Sequence, residues 1–244
     1  MAVTERQEQV QPSAPARARM LRFLFGLLYR NRTLYWLAST IPFAGQWRVW
    51  QRLAVPRIVG ADVLEIGCGI GKLLADMVQA GYACTAVDRS PQMVAATRGE
   101  LRRRGLPTDA APVLLASAQR LPFPAASFDT VVSTFPTDYI FDPATLHEVA
   151  RVLRPGGRLI IVMGAELLPA RAALVPLVAL QTLVYGRRGE ASGAGRANCA
   201  LSTTSGLGKA LTEAGFLPQA ECVAGPFWQA YLLLAERSDM ADVV

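Results

Sequence analysis

VLEIGCGIGKLL, residues 63–74, decides the fold. An apolar run carrying Glu65 leads into Gly67, Gly69 and Gly71, and apolar residues at helical spacing follow. Glycines between a strand and a helix let the backbone turn tightly and let a ligand approach with no Cβ in the way. The start of the helix adds unpaired N–H groups and the positive end of its dipole. Such a loop is suited to a nucleotide. A P-loop would read GxxxxGK[ST]: Lys72 follows Gly71, but Leu73 comes next, and the first glycine would have to stand at Ile66. The dinucleotide fingerprint GxGxxG would need its third glycine at Lys72. What remains is an acid, an apolar residue and GxGxG, which fits a ligand with an adenosine but no phosphates.

Seventeen residues beyond Gly71 the next apolar run ends in TAVDRS, residues 85–90. A carboxylate at the end of the second strand can accept hydrogen bonds from both ribose hydroxyls. Asp88 is therefore the expected ribose clamp, with Ser90 the better candidate to cap the helix that begins at Pro91.

Working outward, the texture alternates. The patterns predict strands at 62–66, 83–88, 113–116, 128–134, 158–163, 218–223 and 228–235. Helices are expected at 46–55, 72–80, 91–104, 143–153 and 203–214. Strands alternating with helices imply parallel pairing through right-handed crossovers. The expected fold is α/β: a doubly wound, mostly parallel, seven-stranded sheet with an N-terminal helical extension and an apolar helical insertion after the fifth strand. The organisation expected is a loose 1–18, a basic amphipathic helical extension 19–57, a core 58–164, an apolar insertion and loop 165–200, and a closing segment 201–237.

Hydrophobic residues make up 52% of the 244 and charged residues 18%, enough for a large core and against wholesale disorder. The four cysteines show no CxxC spacing and His147 is the sole histidine, so no metal site is expected. Scattered thiols fit a reducing, cytoplasmic setting. The net charge is +6, but residues 1–60 carry nine arginines against Glu5 and Glu8, which leaves the rest at −1. A nucleic-acid binder spreads such charge over its working face, and this chain does not. Arg19, Arg22, Gly26 and Arg30 share one helical face, with Leu and Phe on the others. That stripe suits an anionic membrane surface, and equally a solvated face. The charges interrupt residues 19–43 too often for a bilayer span, and Pro169, Arg171 and Pro176 interrupt the apolar segment 166–185 in the same way. An arginine-rich, acid-poor start also resembles an organellar transit peptide.

Four stretches in order carry a resemblance: VLEIGCGIGKLL, TAVDRS, LPFPAASFDTVVSTF and LHEVARVLRPGGRLIIV. Over residues 63–162 the sequence resembles the class I S-adenosylmethionine-dependent methyltransferases. It looks most like their ubiquinone/menaquinone C-methyltransferase-like (type 11) branch, whose sheet is Rossmann-like. The resemblance implies S-adenosylmethionine as cofactor and residues 58–164 as its binding core. It places Glu65, Gly67 and Gly69 under the methionine part, counts Cys68 and Gly71 of the same loop among the cofactor-binding residues, and puts Asp88 on the ribose and Arg89 and Met93 beside the adenine. Where the family usually has an acid for the adenine amino group, this sequence has Ser117, followed by Ala118 and Gln119. Ser133 and Thr134 close the fourth strand at the cofactor, and Thr134, Phe135 and Tyr139 fall where an acceptor should sit.

Methyl transfer from a sulfonium needs alignment and exclusion of water, and a base only where the acceptor must lose a proton. Asp138 and Tyr139 are the candidates by position, with a loop acid and a packing tyrosine as the plain alternative. His147 is expected to pack or face solvent. The implied acceptor is small and lipophilic, quinone- or lipid-like, roofed by the apolar segments 20–43 and 166–185. A polar metabolite, or a non-catalytic protein of this fold that binds a partner or a membrane, stays open. No nucleic acid is expected, since STFPTDY stands where an NPPY-like tetrad would.

Overall fold

The computed structural model describes residues 43, 45–107, 109, 111–168, 175–176, 178–179 and 206–238. The expectations for residues 1–42, and most of those for 165–200, lie outside the described residues.

Strand β1 (Asp62–Ile66) is buried along nearly its whole length, and β4 (Phe128–Thr134) likewise. Continuous burial means that both faces of the sheet are covered, as parallel sheets require. Around these two lie β2 (Ala83–Asp88), β3 (Val113–Leu115), β5 (Leu153–Leu167), β6 (Phe216–Ala224) and β7 (Trp228–Arg237). The spatial order is β3-β2-β1-β4-β5-β7-β6. Every pair is parallel except those made by β7, which runs antiparallel to β5 and to β6. From β1 the chain builds outward through β2 and β3, then returns to lay β4 on the other side of β1. The order reverses there, and a crevice opens beyond the carboxyl ends of β1 and β4.

Among the described residues the helices include α1 (Trp47–Arg52), α2 (Lys72–Gln79), α3 (Pro91–Arg103), α4 (Pro143–Val152) and α5 (Gly206–Glu213). Side chains alternate across the strands, so one apolar cluster gathers Val63, Leu74, Met77 and Ile160, and the other gathers Leu64, Val131, Leu146 and Leu159. Trp50 of α1 is fully buried in the first cluster. Emptying a site of that size would cost about 3–5 kcal/mol.

A charge cluster also ties α1 to the core. Asp76 of α2 accepts from Arg48 at 2.6 Å, Arg52 at 2.7 Å and Arg104 at 2.7 Å. Burial alone would raise the Asp76 carboxyl. The hydrogen bonds from Arg52, Arg104 and Arg48 outweigh it and hold the group below its ordinary 3.8.

Three departures from expectation are larger than the one- or two-residue shifts at other element ends, such as β6 and β7. The first helix stops at Arg52, and a 3-10 turn takes Val55–Arg57, because Pro56 fits the start of a turn but not a continuing helix. Strand β5 extends well past 158–163 at both ends because its partners continue: Phe128 pairs with Leu153, and Trp228 with Leu167. The apolar segment 166–185 therefore begins as strand, with helical backbone at 175–176 and 178–179. No helix among the described residues is long and apolar enough to cross a membrane.

Candidate functional site

The crevice holds a cavity of about 340 Å³. It is lined from four strand tips, and each tip contributes a different chemistry.

The β1 tip contributes backbone. Gly67, Gly69 and Gly71 all have positive φ, near +74°, +57° and +74°. Gly67 and Gly69 line the cavity with Ile66. Gly71 does not: it caps α2, and a Cβ there would meet Thr97 at 2.5 Å. Cys68 also turns away. Its thiol is buried at 3.4 Å from the Thr97 hydroxyl, which itself donates to the Gly69 carbonyl at 2.8 Å. Burial pushes that thiol far up, so it is no nucleophile at neutral pH.

Glu65 lies behind the loop, 1% exposed. Burial pushes its carboxyl up to about 8, and the charges of Asp88 and Asp76 add to the shift. It is a neutral acid at pH 7. Its Oε2 and the Nη1 of Arg48 are both buried without hydrogen-bond partners.

The β2 tip contributes the carboxylate. Asp88 Oδ2 accepts from the Gly69 N–H at 3.0 Å, and Oδ1 accepts from the Ser90 N–H at 2.9 Å. Burial raises this carboxyl, opposed by those two N–H groups and by Arg89. Each oxygen keeps lone pairs for a ligand diol. Ser90 caps α3, its hydroxyl accepting from the Met93 N–H at 3.4 Å. Arg89 and Met93 line the same end.

Past the β3 tip, Ser117, Ala118 and Gln119 line the far end. The Ser117 hydroxyl donates to Gln119 Oε1, and Gln119 Nε2 donates to Asp142 Oδ2 at 3.1 Å.

The β4 tip contributes aromatic surface. Ser133 is fully buried outside the lining, where its hydroxyl meets the Ile66 carbonyl at 3.2 Å and the Tyr139 hydroxyl at 2.8 Å. Thr134, Phe135 and Tyr139 line the cavity. Phe135 is a non-glycine residue with φ +50°, held by its N–H donating to the Val162 carbonyl at 2.8 Å. Its ring stacks on Trp47 of α1 at 4.0 Å between centroids. Gln51 of α1 donates to the Thr134 hydroxyl at 3.3 Å. A backbone conformation of this kind costs about 1–3 kcal/mol and persists where the surroundings over-determine it.

Of the residues singled out from the sequence, Gly67, Gly69, Asp88, Arg89, Met93, Ser117, Ala118, Gln119, Thr134 and Tyr139 line one cavity. Glu65, Cys68, Gly71 and Ser133 stand behind its wall. Asp138 is exposed and outside the lining. His147 is exposed on α4, with its Nδ1 2.7 Å from the Pro143 carbonyl oxygen. Sequence reading passed over Ile66, Val87, Ser90, Ala116, Pro136 and Thr137 in the lining, and Trp47 behind it. The strand-tip rule points to the lining residues; nothing local points to Trp47. No group of acids, histidines and cysteines among the described residues could hold a metal ion.

The arrangement suits a nucleoside without phosphates. Asp88 and Arg89 are the charged side chains in the lining, and the remainder is glycine backbone, hydroxyl, amide and apolar surface.

Residues 64–161 match the family model described as a methyltransferase domain. A demethylmenaquinone methyltransferase from Mycobacterium sp. (strain JLS) is 35% identical over 131 residues, 52% of this chain and 53% of that one. An uncharacterized methyltransferase of Mycobacterium tuberculosis is 38% identical over 97 residues, 40% of this chain and 37% of that one. The chain thus spans about half the length, or less, of these curated relatives. Among solved structures, a putative S-adenosyl-L-methionine-dependent methyltransferase from Methanococcus maripaludis superposes with a TM-score of 0.59 at 16% identity over the whole of both chains. A [4+2]-cyclase superposes at 0.54 with 18% identity, over 79% of this chain and 81% of that one. These two likenesses establish the fold.

Proposed function

We propose, from the match of residues 64–161 to the methyltransferase-domain model, that the protein moves a methyl group from S-adenosylmethionine to a small lipophilic acceptor of quinone-like or lipid-like chemistry. The observation that carries the proposal is the cavity itself. It joins the bare backbone of Gly67 and Gly69 to the Asp88 carboxylate at one end and to Phe135 and Tyr139 at the other. When bound, the cofactor supplies a methyl group on a sulfonium.

The chain's own part is to bind, orient and exclude water. Gly67 and Gly69 let the ligand lie against the backbone, and the Asp88 oxygens accept from the ribose hydroxyls. Met93 packs against the adenine, and Ser117 with the Ala118 backbone meets its edge. On the β4 side Phe135 and Tyr139 offer a rigid apolar face for the acceptor. Trp47 backs Phe135 and fixes its position. A dry, oriented site of this kind supplies most of what a displacement at a sulfonium needs. Tyr139 shapes the site, its hydroxyl hydrogen-bonded to Ser133.

Lipophilic chemistry is favoured by the aromatic wall and by the likeness to demethylmenaquinone methyltransferases. Within the same proposal, the arginine-rich segment with Arg19, Arg22 and Arg30, which lies outside the described residues, binds anionic headgroups. Failure to sediment with anionic vesicles at low salt would remove that part. The fold alone does not select methyl transfer, since a [4+2]-cyclase shares it.

The test uses S-adenosylmethionine labelled in its methyl group, the purified protein and an extract of the source cells. Label entering the organic phase is the expected result. Label confined to the aqueous phase would replace the lipophilic acceptor with a polar one. Cofactor binding without transfer to anything in the extract would favour a non-catalytic protein of this fold.

A further inference from the structure

A hydrogen-bonded chain of three side chains runs along the β3 end of the cavity, and its direction is fixed. Asp142 Oδ1 accepts from the Ala144 N–H at 3.0 Å as the cap of α4, which anchors the carboxylate. Its Oδ2 accepts from Gln119 Nε2 at 3.1 Å. A carboxylate has no hydrogen to give, so the amide must turn its nitrogen to Asp142 and its oxygen the other way. That oxygen meets the Ser117 hydroxyl. An amide oxygen only accepts, so the hydroxyl hydrogen is committed to Gln119. Ser117 lines the cavity and is left with lone pairs to offer it.

A serine hydroxyl free to rotate could donate or accept. This one is held as an acceptor, the role a carboxylate would fill at the same strand end. We propose that Gln119, anchored by Asp142, is a positioning residue that makes Ser117 a one-way acceptor for the exocyclic amino group of the cofactor's adenine, so that the site selects a 6-amino purine over a 6-oxo purine. The proposal rests on reading this cavity as the S-adenosylmethionine site.

The test compares the affinities of S-adenosylhomocysteine and S-inosylhomocysteine for the full chain, by calorimetry. The wild type is expected to favour the adenosyl ligand by about tenfold or more, since a 6-oxo group would set two acceptors against each other. In Gln119→Ala the hydroxyl can turn and donate, and the ratio falls by about fivefold or more. Whatever else disfavours the 6-oxo ring is common to both proteins and cancels. Ser117→Ala lowers the ratio in the same way. Adding Gln119→Ala to it changes the ratio no further, because Gln119 acts through Ser117. A merely structural role for Gln119 would weaken both ligands together and leave the ratio unmoved. Wild-type binding of S-adenosylhomocysteine with a ratio unmoved in Gln119→Ala, or with the two substitutions adding in full, overturns the proposal. No binding of S-adenosylhomocysteine by the wild type overturns the cofactor reading, and this proposal with it.

Discussion

The two walls of the cavity are built by different means. The β1–β2 wall is backbone: positive-φ glycines, N–H groups and one carboxylate that accepts from Gly69 and Ser90, all within residues 65–93. The β4 wall is side chain: Phe135 and Tyr139, with Phe135 stacked on a tryptophan from 88 positions earlier in the chain. A backbone wall can hold the invariant part of a ligand, because few substitutions reach it. A wall of packed rings can change shape with one residue and suits the part that varies, the acceptor. Damage to the first wall should thus abolish cofactor binding or folding, whereas damage to the second should alter acceptor use.

The largest expected effect lies behind the backbone wall and depends on pH. Glu65 holds its proton up to about 8 in the folded chain, against an ordinary 4.5. Because the folded value is raised, the stabilisation is fully present below pH 4.5 and is lost as pH rises to about 8. Glu65→Gln removes that slope. The difference in unfolding free energy between variant and wild type should therefore shift in the variant's favour between pH 4.5 and 8, by on the order of 5 kcal/mol. Urea denaturation at several pH values measures it, and a difference independent of pH would show that Glu65 is ionised in the fold.

Next in size is Gly71→Ala. A Cβ there would stand 2.8 Å from the Thr97 Cα, at φ +74°. Left-handed backbone and overpacking together should destabilise the fold by about 3 kcal/mol. A thermal midpoint within a degree or two of wild type would mean that the loop relaxes freely. Asp88→Ala is expected to keep the fold while removing the proposed partner of the ligand's diol and the acceptor for the Gly69 and Ser90 N–H groups. Affinity for S-adenosylhomocysteine should fall by about 2–3 kcal/mol, roughly 30- to 150-fold.

Smallest is Trp47→Ala, which strips the ring from behind Phe135. The stack is worth about 1 kcal/mol beyond the area it buries. The outcome expected is an acceptor KM raised several-fold with cofactor affinity nearly unchanged. Equal losses on both sides would mean that the walls are one mechanical unit.

The same contrast explains what could be read in the sequence. Strands β1, β2 and β4 begin and end where alternation and turn residues place them, since each is bounded by local chemistry. The turn geometry of Gly67, Gly69 and Gly71 and the cap at Ser90 are local as well. Beyond reach were facts set by distant partners. The ends of β5 depend on Phe128 and Trp228 across the sheet. That Cys68 faces Thr97, and Ser133 faces Tyr139, depends on packing between elements. The direction of the Ser117 hydroxyl follows from Asp142, 25 positions on.

The most direct test is a calorimetric titration of S-adenosylhomocysteine into wild type, Asp88→Ala and Trp47→Ala. The account predicts clear binding to the wild type, affinity within about threefold of it in Trp47→Ala, and a loss of at least about 30-fold in Asp88→Ala. A wild type that does not bind, or an Asp88→Ala that binds as well as wild type, would contradict it.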